Sequence, residues 1–173
     1  MTGHGERSET PDRLAHLSEV FINFNNSTYQ WVDIQLFRLP VDADDRTILA
    51  LLIEHERYGY DYAGGDPGQD PTRHGPYWRK RITPDAFAPT DADAEDTQLR
   101  TWAEQYAELP DHIRASLESA LYGPLRAADR VYRLQNLGPA AFHDWGGVHL
   151  QFHELVLIDH AAQTLALIVA ADD

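Results

Sequence analysis

Between positions 142 and 160 the chain reads FHDWGGVHLQFHELVLIDH, which sets His143, His149, His153 and His160, four of its nine histidines, beside Asp144, Glu154 and Asp159. Imidazole and carboxylate crowded into one segment are the materials of a metal centre or of general acid–base chemistry. Spacing decides between them. The hydropathy of 148–158 alternates, which predicts a strand. On a strand His149 and His153 share a face but stand roughly 13 Å apart at about 3.3 Å per residue, too far for two nitrogens that must each sit about 2.0–2.1 Å from one zinc. The HxxxH spacing joins two imidazoles on a helix, and HLQFH lacks the glutamate of the zinc-hydrolase motif. No metal site and no cofactor are expected.

Two features of the segment remain. His143-Asp144, ahead of Gly146-Gly147, is either a loop pair able to move a proton or an ordinary surface pair. Glu154 interrupts the apolar row Val148, Leu150, Phe152, Val156, Ile158, where a carboxyl has its pKa raised unless a partner such as Arg133 meets it. If the protein is an enzyme, Glu154, His143 and Asp144 are the residues to carry its chemistry. Other nucleophiles are poorly supported. There is no cysteine, and none of Ser8, Ser18, Ser27, Ser116 and Ser119 stands in a G-x-S-x-G elbow. YAGGDPGQD has the glycines of a phosphate loop but neither its lysine nor its strand-to-helix setting. Glu104 and Glu108 lack the E-x-x-H partner that a helical metal pair requires.

With 28 acids against 14 bases the formal charge is −14, which repels nucleic acid and anionic membrane surfaces and favours a basic protein partner. RHGPYWRKR, 73–81, has the mixture of bases and aromatics found on single-strand stacking platforms, but the overall charge makes an ion-pair partner for the acidic 85–96 segment the plainer reading. A cationic partner would be met by the acids Asp91, Asp93, Glu95 and Asp96 and by Tyr58, Tyr60 and Tyr62. The alternative is a small molecule, as substrate or ligand, held in a pocket between sheet and helices lined by Trp31, Trp102, Tyr106 and Glu154.

The elements that must position these residues are read as follows. Residues 1–9 form a disordered tail, and 10–173 a single domain. Thr10-Pro11-Asp12 reads as a helix start, and Leu14, Leu17, Phe21 and Phe24 keep helical spacing, predicting a helix over 10–25. WVDIQLFRL, 31–39, alternates as a strand with Val32, Ile34 and Leu36 opposite Asp33 and Gln35. For 46–56 a strand paired with 31–39 competes with a helix capped by Asp44 or Asp45; the strand is preferred, because a short turn joins two apolar runs of matching length. The Gly-, Pro- and Asp-rich stretch 58–76 predicts an exposed loop carrying the three tyrosines. YWRKRIT, 77–83, reads as an edge strand, and 97–109 as a helix. After Pro110 the stripe Ile113, Leu117, Leu121, Leu125, Ala128, Tyr132 continues a second helix to about Leu137, divided at Gly123-Pro124. VHLQFHELVLI and TLALIVA around DHAAQ form a terminal hairpin. The expected fold is α+β, a mainly antiparallel sheet of about five strands with helices packed on one face.

The N-terminus lacks the apolar core of a signal peptide, and no apolar run approaches the roughly 20 residues of a spanning helix, so a cytoplasmic protein is expected. Among the bases only Lys80 is lysine, an arginine bias that fits a high-GC, actinobacterial genome. The order helix, WVDIQLFRL, TILALLIEHE, YWRKRITPDAF, a long helical stretch and a closing pair ending TLALIVAADD resembles the YezG-type immunity proteins of bacterial polymorphic toxin systems. The resemblance implies stoichiometric inhibition of a basic toxin, and carries over no catalytic residues.

Overall fold

The computed structural model describes residues 13–62, 71–149 and 151–172. The tail expected at 1–9 lies outside them. A six-stranded antiparallel sheet forms the centre, in the order β1-β2-β8-β7-β6-β5: β1 Ala15–Asn23, β2 Gln30–Arg38, β5 Phe87–Pro89, β6 Arg130–Leu134, β7 Phe152–Asp159 and β8 Thr164–Asp172. The helices are α1 (Asp45–Glu54), α2 (Ala92–Ala103), α3 (Asp111–Leu117) and α4 (Gly123–Ala127), and β3 (Arg73–His74) with β4 (Tyr77–Trp78) makes a separate small hairpin. The α+β class with a mainly antiparallel sheet therefore holds, with six strands. Among the described residues no helix is long and apolar enough to cross a membrane.

Strand register sorts the interior into two layers. Phe37 opposite Leu165 and Val156 opposite Leu167 put one set of side chains under α1, with Ile48, Leu49 and Leu52 packed on them. Val32 opposite Ala170 and Leu155 opposite Ile168 put the alternate set under α2–α4, against Leu99, Trp102, Leu117 and Leu121. Helices thus cover both faces and not the one face expected from the sequence, because β2, β7 and β8 carry apolar side chains on both sides. The terminal hairpin forms as expected, though β7 begins at Phe152 rather than 148, and β8, apolar on both faces, lies centrally between β2 and β7.

Several elements differ from the sequence reading. Within the stretch assigned to a helix over 10–25, of which 10–12 lie outside the described residues, Ala15–Asn23 is β1, paired with β2 through a turn in which Asn25, Ser27 and Tyr29 adopt positive φ. The misleading signal is the spacing of Leu17 and Phe21: both are exposed, at 43% and 56%, so they mark no buried helical stripe. Conversely 46–56 is mostly α1, because the Asp44 side chain accepts from Thr47 N–H at 2.8 Å and Ile48, Leu49, Leu52 and Ile53 fall on one helical face. The 77–83 strand reduces to Tyr77–Trp78, followed by a 3-10 turn over Arg79–Arg81. The 97–109 helix is α2, begun five residues earlier by the cap of Asp91 on Ala94 N–H. The stripe after Pro110 stops at Ala127. Pro124 has no N–H, and around it the helix widens into a π-turn over Glu118–Tyr122, where Gly123 N–H reaches Glu118 C=O; the chain then turns into β6.

Candidate functional site

On the α1 side of the sheet, Glu154 is fully buried, and its partner is not Arg133. His74 Nε2 meets Glu154 Oε1, and Tyr58 O–H donates to Glu154 Oε2 at 2.8 Å. His74 Nδ1–H donates to the Tyr58 carbonyl at 2.5 Å, and the two rings stack at 3.5 Å. Because a carbonyl only accepts, Nδ1 carries a hydrogen, so the contact with Glu154 is imidazolium–carboxylate or carboxylic acid–imidazole. Either way the ring of contacts is closed. With Tyr58 and His74 both fully buried, no face of the triad reaches solvent. Burial, reinforced by the Glu154 charge, pushes the Tyr58 phenol well above its ordinary range. This arrangement organises a core; it is not presented to a substrate.

Beside it, Trp31 stacks on Tyr62 at 5.6 Å, and Asp33 and Gln35 stand inward on β2. Gln35 Nε2–H donates to Asp33 Oδ2 at 3.2 Å, and His16 Nε2–H donates to Gln35 Oε1 at 2.7 Å. Glu19 of β1 hydrogen-bonds Asp33 and is itself 3.6 Å from Arg57. Burial pushes the Asp33 carboxyl up to about 7, with Glu19 adding to the rise and the Gln35 N–H opposing it.

An open cleft lies where β6 and β7 part. Their pairing ends at Arg133 opposite Leu155, although β7 extends to Phe152 and β6 to Leu134. The gap has a volume of about 340 Å³, with Tyr77, Phe142 and Phe152 as walls and Gln98, Gln135, Asn136, His149, His153 and Arg133 around it. Arg133 is held from behind by Glu95, with Nε at 2.9 Å from both carboxylate oxygens and Nη2 at 2.5 Å from Oε2. Its Nη1 donates to His153 Nδ1 at 3.3 Å, and burial, then the Arg133 charge, push that imidazole down to about 4.

The residues singled out in the sequence are placed as follows. His143 is buried and pins two loops together, donating from Nε2 to the Gly75 carbonyl at 2.5 Å and accepting from Trp145 N–H at 3.0 Å; Asp144 is exposed, 3.8 Å from Arg73. Neither joins Glu154. Tyr58 and Tyr62 are core residues and Tyr60 is half-buried, so the expected exposed tyrosine surface is not formed. Of the acidic four, Asp91 caps α2, Glu95 holds Arg133, Asp96 pairs with Arg100 at 2.6 Å and Arg126 at 3.4 Å, and Asp93 is exposed. The expected pocket is divided by the sheet: Trp31 and Glu154 are on one face, Trp102 is on the other against Phe24 and His153, and Tyr106 is half exposed. His149 and His153 do come near one cleft, as walls and not as co-ligands. Among the described residues no three His, Asp or Glu side chains are grouped to hold a metal ion.

The sequence reading missed His74, Asp33 and the cleft residues Gln98, Gln135, Asn136 and Phe142. Asp33 alone carried a signal, an acid within a strand buried on both faces. Compared with protein families, with curated proteins and with solved structures, the chain has no match.

Proposed function

We propose that the protein is a non-enzymatic, acidic protein-binding module that captures an extended segment of a basic partner along β1; an immunity-like inhibitor of a basic toxin is its most specific form. One observation carries the reading. Among the described residues β1 is a nine-residue edge strand, unpaired on its outer side, with Leu17, Val20 and Phe21 exposed at 43%, 42% and 56%. Soluble proteins normally blunt such an edge with lysines, proline or a covering loop, because its free N–H and C=O groups pair readily with another strand. The charge of −14 supplies the sign of the partner. The two acid–base groups with the strongest surroundings, the Glu154 triad and the Glu95–Arg133 pair, are each satisfied internally, which favours binding over catalysis. The docking surface moves accordingly from the 91–96 acids and the tyrosines to β1.

The test is native mass spectrometry of the protein purified from its own cells, beside a Leu17→Lys, Val20→Lys, Phe21→Lys variant that keeps the circular dichroism of the parent. A 1:1 complex with a basic protein, lost in the triple variant, is expected. A lone chain, a homodimer, or a complex that survives the substitutions overturns the reading.

A further inference from the structure

The cleft between β6 and β7 is independent of the β1 edge and calls for a different occupant. We propose that it binds an uncharged, planar heteroaromatic molecule with a lactam edge, the chemistry of a nucleobase.

Size comes first. A cavity of about 340 Å³ stands at the lower end of the range of ligand sites, roughly 300–1,000 Å³, and suits a single ring system. Tyr77 and Phe142, with ring centroids 5.7 Å apart, and Phe152 on the β7 side supply faces for stacking. Phe142 is 36% exposed, a cost that an aromatic ligand would relieve.

Charge is decided by what lines the gap. The cation there, Arg133, is already neutralised by a nearly buried Glu95, which Thr90 O–H also holds at 2.7 Å. An anionic ligand would therefore meet a positive charge that is already offset. His153 offers no second positive charge: Nδ1 accepts from Arg133, Nε2–H donates to Gln151 Oε1 at 3.2 Å, and the ring stays neutral down to about pH 4. Nor, among the described residues, does any carboxylate line the cleft to receive a cation.

Hydrogen-bond polarity then selects the edge. Asn136 Oδ1 accepts from Gly138 N–H at 2.9 Å, so its NH₂ is the group left to donate. His149 Nε2–H donates to the Asp61 carbonyl at 3.1 Å, so in the neutral ring Nδ1 is an acceptor, and that buried atom has no partner among the described residues. A ligand that matches both presents one acceptor and one N–H donor, as a lactam does. The exposed carboxamides of Gln98 and Gln135 at the rim can complement the same edge in either orientation.

Titration of the full chain with hypoxanthine, benzoate and benzamidine, followed by ¹H–¹⁵N correlation spectra, tests the assignment. The three probes are planar, but only hypoxanthine is uncharged and carries the lactam. Saturable shifts confined to 134–136, 142–149 and 152–153, at about 1 mM hypoxanthine or below, are expected, with both charged probes at least about tenfold weaker. Phe142→Ala should weaken hypoxanthine about tenfold or more through lost stacking, and His149→Phe, which keeps an aromatic ring and removes the acceptor, should do the same. Equal binding of all three probes, preference for a charged one, no shifts in the cleft, or an unaffected His149→Phe variant overturns the proposal.

Discussion

Asp33→Asn should make the protein more stable at neutral pH, and the gain should grow with pH. The carboxyl is held near pKa 7 in the folded chain against 3.8 for the free side chain, so the folded state binds its proton more tightly than the unfolded state. For a group raised in this way, stability is fully present below the unfolded pKa and is lost as pH rises through the folded one, here from 3.8 to about 7. At 1.36 kcal/mol per unit, the stretch from pH 5 to 7 corresponds to about 2.7 kcal/mol. Glu19, whose charge adds to the rise, is 44% exposed and can turn toward water, so about 1–3 kcal/mol is the expected size. Asparagine copies the neutral acid and keeps an oxygen for the Gln35 N–H, so it removes the titration with little change of shape. The assay is urea unfolding of both proteins at pH 5, 6, 7 and 8. His153 acts in the opposite sense, since a depressed imidazole contributes stability above its unfolded pKa of 6.5 that is lost as pH falls toward about 4. That term is common to both proteins and cancels in their difference. A difference that stays constant from pH 5 to 8, or shrinks as pH rises, refutes the raised pKa of Asp33.

Two further outcomes bear on the core that holds the sheet. His74→Ala should cost about 3–5 kcal/mol by leaving Glu154 buried with one partner gone, and Tyr58→Phe about 1–3 kcal/mol, both read from urea midpoints at pH 7; a His74→Ala loss under about 1 kcal/mol would refute the closed triad. Gly75→Ala should cost about 2–5 kcal/mol in the same assay, because Gly75 sits at φ +52 and an added Cβ would run into the Phe152 ring, whereas Gly147→Ala, with open space at that point, should change stability by no more than about 0.5 kcal/mol.

What the sequence conveyed was the class of fold and the terminal hairpin, whose second strand is apolar on both faces and therefore had to lie centrally. It misrepresented β1 and α1 for complementary reasons. An edge strand exposed on both sides has no alternation to display, so Leu17 and Phe21 imitate a helical stripe by accident. α1 has six consecutive apolar residues, Ile48 to Ile53, which read as a buried strand until the Asp44 cap is weighed. Glu154 was legible as an anomaly because an acid stood in an apolar row. Its partner was not, since His74 arrives from the small β3–β4 hairpin, 80 positions away in sequence. The cleft was illegible altogether: it arises where two strands stop pairing, and no residue type announces that.

If the protein captures a basic partner as proposed, the acidity of the chain and the apolar edge of β1 serve different steps of one binding event. Along β1 the one acid, Glu19, is 3.6 Å from Arg57, and in the 91–96 segment Glu95 and Asp96 already face arginines, so neither region concentrates free negative charge at a contact. A charge of −14 would act instead through its long-range field, steering a cationic partner over about a Debye length, some 8 Å at physiological salt. The edge acts only on contact, through backbone pairing and burial of Leu17, Val20 and Phe21. For a partner held in this way salt should govern the association rate, while lysine at Val20 should shorten the lifetime of the complex and leave the salt dependence of association in place. A partner held by surface ion pairs would couple the two, with salt and substitution both acting on dissociation.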